Sequence, residues 1–260
     1  MKISVNVDKI VVLGLEKNEK TIRKKFDGIF PNRRVDYFIT KGVGTAQNDG
    51  MMSSSLWKIM CHDTIDKISI DIFKNHVEII KQCFYNPYIH NVLILEDDAS
   101  FPDWNQKKWD KTEHWLKKNS EKWDIFFLGY CNWPSMWSIF KTRNIVKLSS
   151  PLTAHAYILN KNGMFKILKT LEKNPQCQNM HIDKLFSKIP RFNKYGSFPM
   201  VSFQEKCPGL YLKACDKLGV RILFSSCCKW NEWVSVILPI VVYFLFSFSL
   251  CYYVMKYYKK

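Results

Sequence analysis

The chain has 260 residues and a formal net charge of +16, which allows one α/β domain with an appendage and excludes any need for a disulfide framework despite nine cysteines. Its basic residues are spread along the chain without the aromatic-rich basic motif of a known nucleic-acid module, so we expect no nucleic-acid partner. An AT-rich coding sequence or attraction to anionic membrane surfaces explains the charge instead.

The first part of the chain alternates apolar runs with helical periodicity. Strands are predicted over 9–15 (KIVVLGL) and 35–40 (VDYFIT), with a helix over 17–26 between them. Residues 41–55 are rich in Gly, Ser, Asn and Asp and have no periodicity, which predicts a long loop of the kind that is usually functional. A second helix is predicted over 68–83, and Asn-Pro closes it.

The stretch 92–101, VLILEDDASF, ends an apolar run in three consecutive carboxylates. Such a run is typical of a parallel strand buried on both faces. Glu96, Asp97 and Asp98 are therefore expected at its carboxyl end, the edge at which open α/β sheets bind ligands. Clustered hard oxygen ligands suit Mg²⁺ or Mn²⁺ holding a diphosphate, as in an enzyme with a nucleotide-linked donor. The alternative is an acidic turn that only ends the strand.

Further strands are predicted over 123–129 (WDIFFLG) and 155–159 (HAYIL), and a helix follows the predicted cap Asn160. This alternation of strands and helices predicts a doubly wound parallel sheet.

The carboxyl-terminal segment 233–255 carries no charge and is long enough to cross a membrane as a helix. A buried hydrophobic hairpin is the alternative. We expect a globular domain over 1–215, a linker over 216–232, and a basic tail over 256–260 after the membrane helix. Cys227 and Cys228, just before the helix, are candidates for palmitoylation.

The amino terminus has no apolar region of signal-peptide length. We therefore expect a single-pass protein with a carboxyl-terminal anchor and its domain in the cytosol, although the terminal lysines favour the opposite orientation under the positive-inside rule.

The order of four motifs resembles glycosyltransferase family 25, which includes lipooligosaccharide and procollagen galactosyltransferases. The matching residues, in chain order, are Asn75-His76 before VLILEDD, Asp124 and Gly129 in WDIFFLG, AHAYILNKNGMFKIL, and His181-Ile182-Asp183. The resemblance covers about residues 9–210. The chain departs from the family at Lys-Asn-His, where Leu-Ser-His is usual, and in the first loop, LEKNEKTIRKK. These departures indicate a divergent member, from a large DNA virus or an AT-rich microbe.

The resemblance implies an α/β domain of the glycosyltransferase A type, which is Rossmann-like, and a divalent metal, Mn²⁺ or Mg²⁺. It also implies a UDP-sugar donor, UDP-galactose or UDP-glucose, and inversion at the anomeric carbon. The expected acceptor is a hydroxyl group of a glycan or glycoprotein. Trp133 and Trp137, between the strands predicted over 123–129 and 155–159, either stack on the acceptor sugar or pack on the domain. The expected location is a viral or host-cell membrane, reached through the carboxyl-terminal helix.

Chemistry assigns roles to these residues. Because the leaving UDP gathers negative charge, a metal bound by Asp98, with Asp97 or Glu96 assisting, would stabilise the transition state. Inversion also needs a base on the opposite face of the sugar, for which Asp183 is the first candidate and Asp97 the second. His76 and Gly129 are expected beside the cofactor, where Gly129 supplies a tight turn close to the nucleotide.

Several of these residues have a structural alternative. Asp183 is otherwise a helix cap, and His76 otherwise braces the loop or strand from its helix. His155 and His181 are each a third metal ligand or a plain surface residue. Tyr157 is expected in the core. Two competing functions also remain open, namely an inactive relative that recognises glycans or partners at a membrane, and a basic adaptor in which Glu-Asp-Asp is only a turn.

Overall fold

A computed structural model describes eight parts of the chain, which are residues 7–41, 67–102, 104–130, 144–149, 151, 153–178, 180–198 and 200–204. Nearly all of the predicted loop over 41–55 lies outside these parts, as do Trp133, Trp137 and everything after residue 204, including Cys227, Cys228 and the predicted membrane helix. No helix within the described parts is long and apolar enough to cross a membrane.

Nine strands and five α-helices are found in these parts of the chain. In chain order they are β1 Lys9–Leu15, α1 Glu19–Ile29, β2 Val35–Thr40, α2 Lys67–Tyr85, β3 Asn91–Glu96, β4 Ala99–Ser100, α3 Gln106–Lys118, β5 Ile125–Phe127, β6 Ile145–Lys147, β7 Ala156–Asn160, α4 Lys161–Lys173, α5 Ile182–Lys188, β8 Lys194–Ser197 and β9 Phe203–Gln204. The strands predicted over 9–15 and 35–40 are confirmed at both ends.

Seven strands form one sheet in the order β2-β1-β3-β7-β5-β8-β6, and β4 and β9 form a separate two-stranded ribbon. Strand β1 is parallel to β2 and β3, and β5 is parallel to β8. Strand β7 is antiparallel to both of its neighbours, and β6 is antiparallel to β8. The prediction of a parallel sheet in an α/β fold is therefore confirmed only in part, since the sheet is parallel-rich but β7 and β6 run in the opposite direction. A short apolar strand buried on both faces has the same sequence pattern in either direction.

Helices cover both faces of this sheet. Alternate strand residues divide between two cores, so that Val11 packs with α2, α4 and α5 on one face, whereas Val12 packs with α1 and α3 on the other. The four residues of β3 from Val92 to Leu95 are completely buried. Burying each side chain of this kind stabilises the fold by about 1.5–3 kcal/mol, which favours a central position in the sheet for the run that precedes the carboxylates.

Helix α4 begins where its sequence predicts. The side chain of Asn160 caps it by accepting a hydrogen bond from the Gly163 N–H at 2.8 Å. Asp124, before β5, accepts hydrogen bonds from Lys166 Nζ at 2.7 Å and from Asn193 N–H at 2.7 Å. Asp124 thereby ties α4, β5 and the approach to β8 together at the amino end of β5.

Candidate functional site

The acidic turn lies at the edge of the sheet where the carboxyl ends of β1, β2, β3, β5 and β8 meet. Glu96 ends β3, and Asp97 and Asp98 form the turn that follows it. Gly129 lies just beyond β5, and His155 lies just before β7, which runs in the opposite direction. The fold therefore brings four of the predicted site residues, together with His155, to one edge.

The turn lies beside a topological switch point. From β1 the chain continues to β2 on one side, and from β3 it continues through the ribbon and α3 to β5 on the other side. Gly14 near the end of β1 is a neighbour of Asp97: a Cβ atom at Gly14 would lie at an ordinary contact distance of 3.6 Å from Asp97 Cβ, and under 3.0 Å from Ile22 Cδ1. The crevice outside two such strands is where open α/β sheets bind their ligands.

Two groups on opposite sides hold the backbone of the acidic turn. From α1, Lys25 Nζ donates a hydrogen bond to the Asp97 carbonyl at 3.0 Å. From the start of β7, the His155 carbonyl accepts the Glu96 N–H at 2.8 Å. The side chains of Asp97 and Asp98 remain partly exposed. The turn is thus fixed by its backbone, and its two aspartates are half-buried at the edge, with Oδ1 of Asp98 enclosed.

Glu96 belongs to a buried polar network. His76 is buried, with Nε2 3.2 Å from Glu96 Oε1 and Nδ1 2.7 Å from the Tyr157 hydroxyl oxygen. Burial, together with the nearby charge of Glu96, raises the pKa of Tyr157 well above its usual value, so the hydroxyl keeps its proton. The contacts therefore fit a His76 tautomer that accepts from Tyr157 at Nδ1 and donates to Glu96 at Nε2.

The network also keeps Glu96 ionised. Burial alone would raise the pKa of Glu96, but the hydrogen bonds from His76 and the Gln204 side chain and the proximity of His155 together lower it. Glu96 is therefore directed into the domain, where His76 braces it from α2. The structural role that the sequence left open for His76 agrees with these contacts.

His155 and Gly129 are packed against each other. A Cβ atom at Gly129 would lie under 3.0 Å from both His155 Nε2 and the Ser202 carbonyl oxygen, so only glycine fits there. His155 is buried, and burial lowers its pKa despite the charge of Glu96 and the Ser202 carbonyl. His155 is a neutral, enclosed side chain, not a surface residue.

The segment 200–204 also borders the site, and sequence reasoning missed it. The N–H groups of Val201 and Ser202 donate to the Leu128 carbonyl at 2.9 and 3.1 Å. Strand β9 then pairs with β4 directly after the acidic turn. The short alternating pattern VSFQ was the available signal, but two-residue strands are too short for periodicity to identify.

Asp183 lies in the first turn of α5, while the N-cap position belongs to the exposed His181, whose side chain makes no capping bond. Asp183 Oδ1 accepts from the Lys184 N–H at 2.7 Å, and Oδ2 accepts from the Thr153 N–H at 3.0 Å. Thr153 has a positive φ of 72°, which is unusual for a β-branched residue. Thr153 is two residues before His155, which lies at the edge of the sheet that carries the acidic turn. Asp183 therefore supports a strained backbone turn at that edge.

The side chains that could bind a metal at the acidic turn fit a divalent cation only in part. Within the described parts of the chain, no group of three or more His, Cys, Asp or Glu side chains is arranged to hold a metal. Asp97 and Asp98 supply oxygen ligands of the type that Mg²⁺ and Mn²⁺ prefer, and Mg²⁺ commonly binds through one or two carboxylates together with phosphates and water. Glu96 stands outside this pair because its carboxylate contacts His76.

Comparisons with known proteins give distant structural likenesses. No protein-family model and no curated protein sequence matches the chain. A glycosyltransferase involved in glycosylation of the major capsid of PBCV-1 has 12% identity, with 72% of this chain and 80% of that one covered and a TM-score of 0.37. The galactosyltransferase LgtC, in complex with donor and acceptor sugar analogs, has 13% identity, 70% coverage of each chain and a TM-score of 0.33.

Mouse xyloside xylosyltransferase 1 has 9% identity, with 69% of this chain and 80% of that one covered and a TM-score of 0.34. Likenesses at these TM-scores do not establish a common fold or activity. The resemblance of the motifs to glycosyltransferase family 25 stays a prediction.

Proposed function

We propose that this chain is a metal-dependent, inverting glycosyltransferase that transfers a hexose, galactose or glucose, from a UDP-sugar to a hydroxyl of a glycan or protein. Its catalytic domain, of the glycosyltransferase A type, spans residues 1–215. The segment 233–255 anchors the protein in a viral or host-cell membrane, and the domain lies on the cytosolic side.

The observation that carries this proposal is the position of the acidic turn. Asp97 and Asp98 lie at the crevice between the carboxyl ends of β1 and β3, where the chain leaves the two strands in opposite directions. Glycines occupy two tightly packed positions at this edge, Gly14 against Ile22 of α1 and Gly129 against His155 and the Ser202 carbonyl. A pair of carboxylates at a topological switch point is suited to a metal-bound diphosphate.

Asp97 and Asp98 would hold Mn²⁺ or Mg²⁺, whose charge stabilises the negative charge that develops on the departing UDP. His76 positions this pair indirectly, because it holds Glu96 at the end of β3 while Tyr157 fixes its ring. A rigid support of this kind reduces the reorganisation that the reaction requires.

Asp183 is the first candidate for the base that takes the proton of the acceptor hydroxyl, and Asp97 is the second. Each oxygen of Asp183 already accepts one backbone N–H. A carboxylate has about four lone-pair sites, so a further hydroxyl can still donate to it. The Thr153 turn would then serve to orient the base.

Two observations favour a second candidate, an inactive glycosyltransferase-like protein that binds a ligand at the membrane. The described residues contain no three-ligand metal group, and both oxygens of Asp183 have structural partners. This candidate predicts UDP binding without turnover.

Calorimetric titration of the full chain in detergent with UDP, in the presence and absence of Mn²⁺, tests the proposal. We expect binding that requires Mn²⁺ and weakens at least about tenfold in Asp97→Asn and Asp98→Asn. The variant Asp110→Asn removes the same charge from the exposed surface of α3 and should bind normally. Binding that ignores Mn²⁺ and both site variants would refute the assignment of the metal to this turn.

A further inference from the structure

A groove of about 750 Å³ with mixed apolar and charged lining runs between α2 and α4, on the face of the sheet that also carries α5. Its apolar lining includes Phe73, Val77, Phe84, Leu168 and Leu171. The groove is separate from the acidic turn and plays no part in the proposed transfer.

Aromatic side chains are concentrated at one end of this groove. The large hydrophobic side chains that are exposed within the described ranges are Ile72, Tyr85, Tyr88 and Phe165. Tyr85 is 77% exposed and Tyr88 is 84% exposed, and Phe165 is 44% exposed. Phe84 connects two of them, with its ring centroid 5.3 Å from that of Tyr85 and 6.2 Å from that of Phe165.

This aromatic end is held in place by Lys161. Its Nζ donates to the carbonyls of Cys83, Asn86 and Ile89 at 3.3, 2.8 and 3.2 Å. The lysine thereby fixes the end of α2 and the loop carrying Tyr88 against the start of α4. The exposed rings therefore form a preformed patch and are not isolated surface residues.

Exposed lysines surround the same groove. Lys74, Lys81 and Lys169 line it, against Glu78 and Glu172. A neighbouring cleft of about 250 Å³ shares Lys169, adds Lys166 and Lys173, and has no acidic residue in its lining. We call the surface formed by Tyr85, Tyr88, Phe165, Lys81, Lys169 and Lys173 the aromatic–lysine face.

We propose that the aromatic–lysine face docks the domain on an anionic lipid surface. Tyrosine and phenylalanine rings insert at the level of lipid headgroups, and lysines are attracted by the negative potential of anionic lipids. Lysine stems also cover apolar surface while their charged ends stay in water. A protein partner fits less well, because lysine is depleted in the cores of protein interfaces.

Docking in this way leaves the candidate active site open. The end of α2 and the start of α4 lie beside Asn91 and Asn160, which pair at the edge of the sheet opposite the acidic turn. The crevice at Asp97 would therefore face away from the aromatic cluster and remain accessible to a soluble donor.

The test is lysine acetylation of the full chain, followed by mass spectrometry, on vesicles of phosphatidylcholine alone and of phosphatidylcholine with phosphatidylserine. Because each lysine near an anionic surface gains about 1 kcal/mol, Lys81, Lys169 and Lys173 should react about fivefold more slowly on the anionic vesicles. Lys107, Lys111 and Lys117 of α3, on the other face of the sheet, should react equally on both. This comparison within one chain does not depend on how the chain is anchored.

Matched variants separate the face from overall charge. Lys81→Gln with Lys169→Gln should abolish the protection of Lys173, as should Tyr85→Ser with Phe165→Ser. Lys111→Gln with Lys117→Gln removes the same two charges and should leave it unchanged. The proposal would be overturned if these lysines were equally protected on phosphatidylcholine alone, or if the α3 lysines were protected equally. Protection that rises with protein concentration in the absence of vesicles would also overturn it, in favour of self-association.

Discussion

Nε2 of His76, in the middle of α2, lies 3.2 Å from Oε1 of Glu96, the last residue of β3. This contact joins a helix to the strand end that carries the acidic turn, and Tyr157 of β7 completes it from the neighbouring strand. Three elements that are distant in sequence thus fix the residue directly before Asp97. The predicted site depends on this network for its shape.

Replacing His76 by Phe should destabilise the domain, because the buried Tyr157 hydroxyl and the Glu96 carboxylate both lose a partner. We expect a loss of about 2–4 kcal/mol in the free energy of unfolding. Urea denaturation of the full chain in detergent would measure it. His76→Gln, whose amide can donate to Glu96, should recover part of the loss, and equal losses in the two variants would contradict a role for the hydrogen bond.

The pH dependence of stability should show the burial of His155. Its pKa in the folded domain lies below the usual 6.5, so the unfolded chain binds more protons as the pH falls through that value. Stability is therefore fully present above about pH 6.5 and declines below it. The lowered pKa of Glu96 acts in a separate, more acidic range, below the usual 4.5. Thermal melts from pH 8 to pH 5 should show the decline, and His155→Gln should flatten it.

Two glycine substitutions should have opposite effects. Gly129→Ala places a methyl group against the Ser202 carbonyl and His155, and the backbone carbonyl cannot easily move, so we expect a loss of about 1–3 kcal/mol. Gly28→Ala in α1 meets nothing within 4 Å and should stabilise the helix by about 0.5–1 kcal/mol. Denaturant midpoints of the two variants compare them directly, and a neutral Gly129→Ala would show that the close packing at this edge is not maintained.

The variant Asp183→Asn distinguishes a catalytic base from a residue that only supports the turn at Thr153. Asparagine keeps an oxygen that can accept the Thr153 N–H but cannot take a proton from an acceptor. If Asp183 is the base, kcat falls by about a hundredfold or more while the melting temperature changes little. Asp183→Ala should in addition destabilise the domain by about 1–3 kcal/mol, because the Thr153 N–H loses its partner. An unchanged kcat in Asp183→Asn would contradict Asp183 as the base and favour Asp97 instead.

Local patterns in the sequence were enough to predict β1, β2, β3 and the cap of α4 by Asn160, because apolar periodicity and capping depend on neighbouring residues. The direction of β7, the approach of residues 200–204 and the contact between Glu96 and His76 depend on tertiary pairing, which no local pattern encodes. The sequence therefore placed Asp97 and Asp98 at the correct edge but grouped Glu96 with them. The structure assigns Glu96 to the buried network.

Release of UDP by the full chain in detergent tests the central claim most directly. The assay compares UDP-galactose, UDP-glucose and other UDP-sugars with and without Mn²⁺, for the wild type, Asp98→Asn and the surface control Asp110→Asn. A glycosyltransferase centred on the acidic turn predicts Mn²⁺-dependent release by the wild type and the control that is lost in Asp98→Asn. Release that persists unchanged in Asp98→Asn, or no release and no binding of UDP by the wild type, would contradict it.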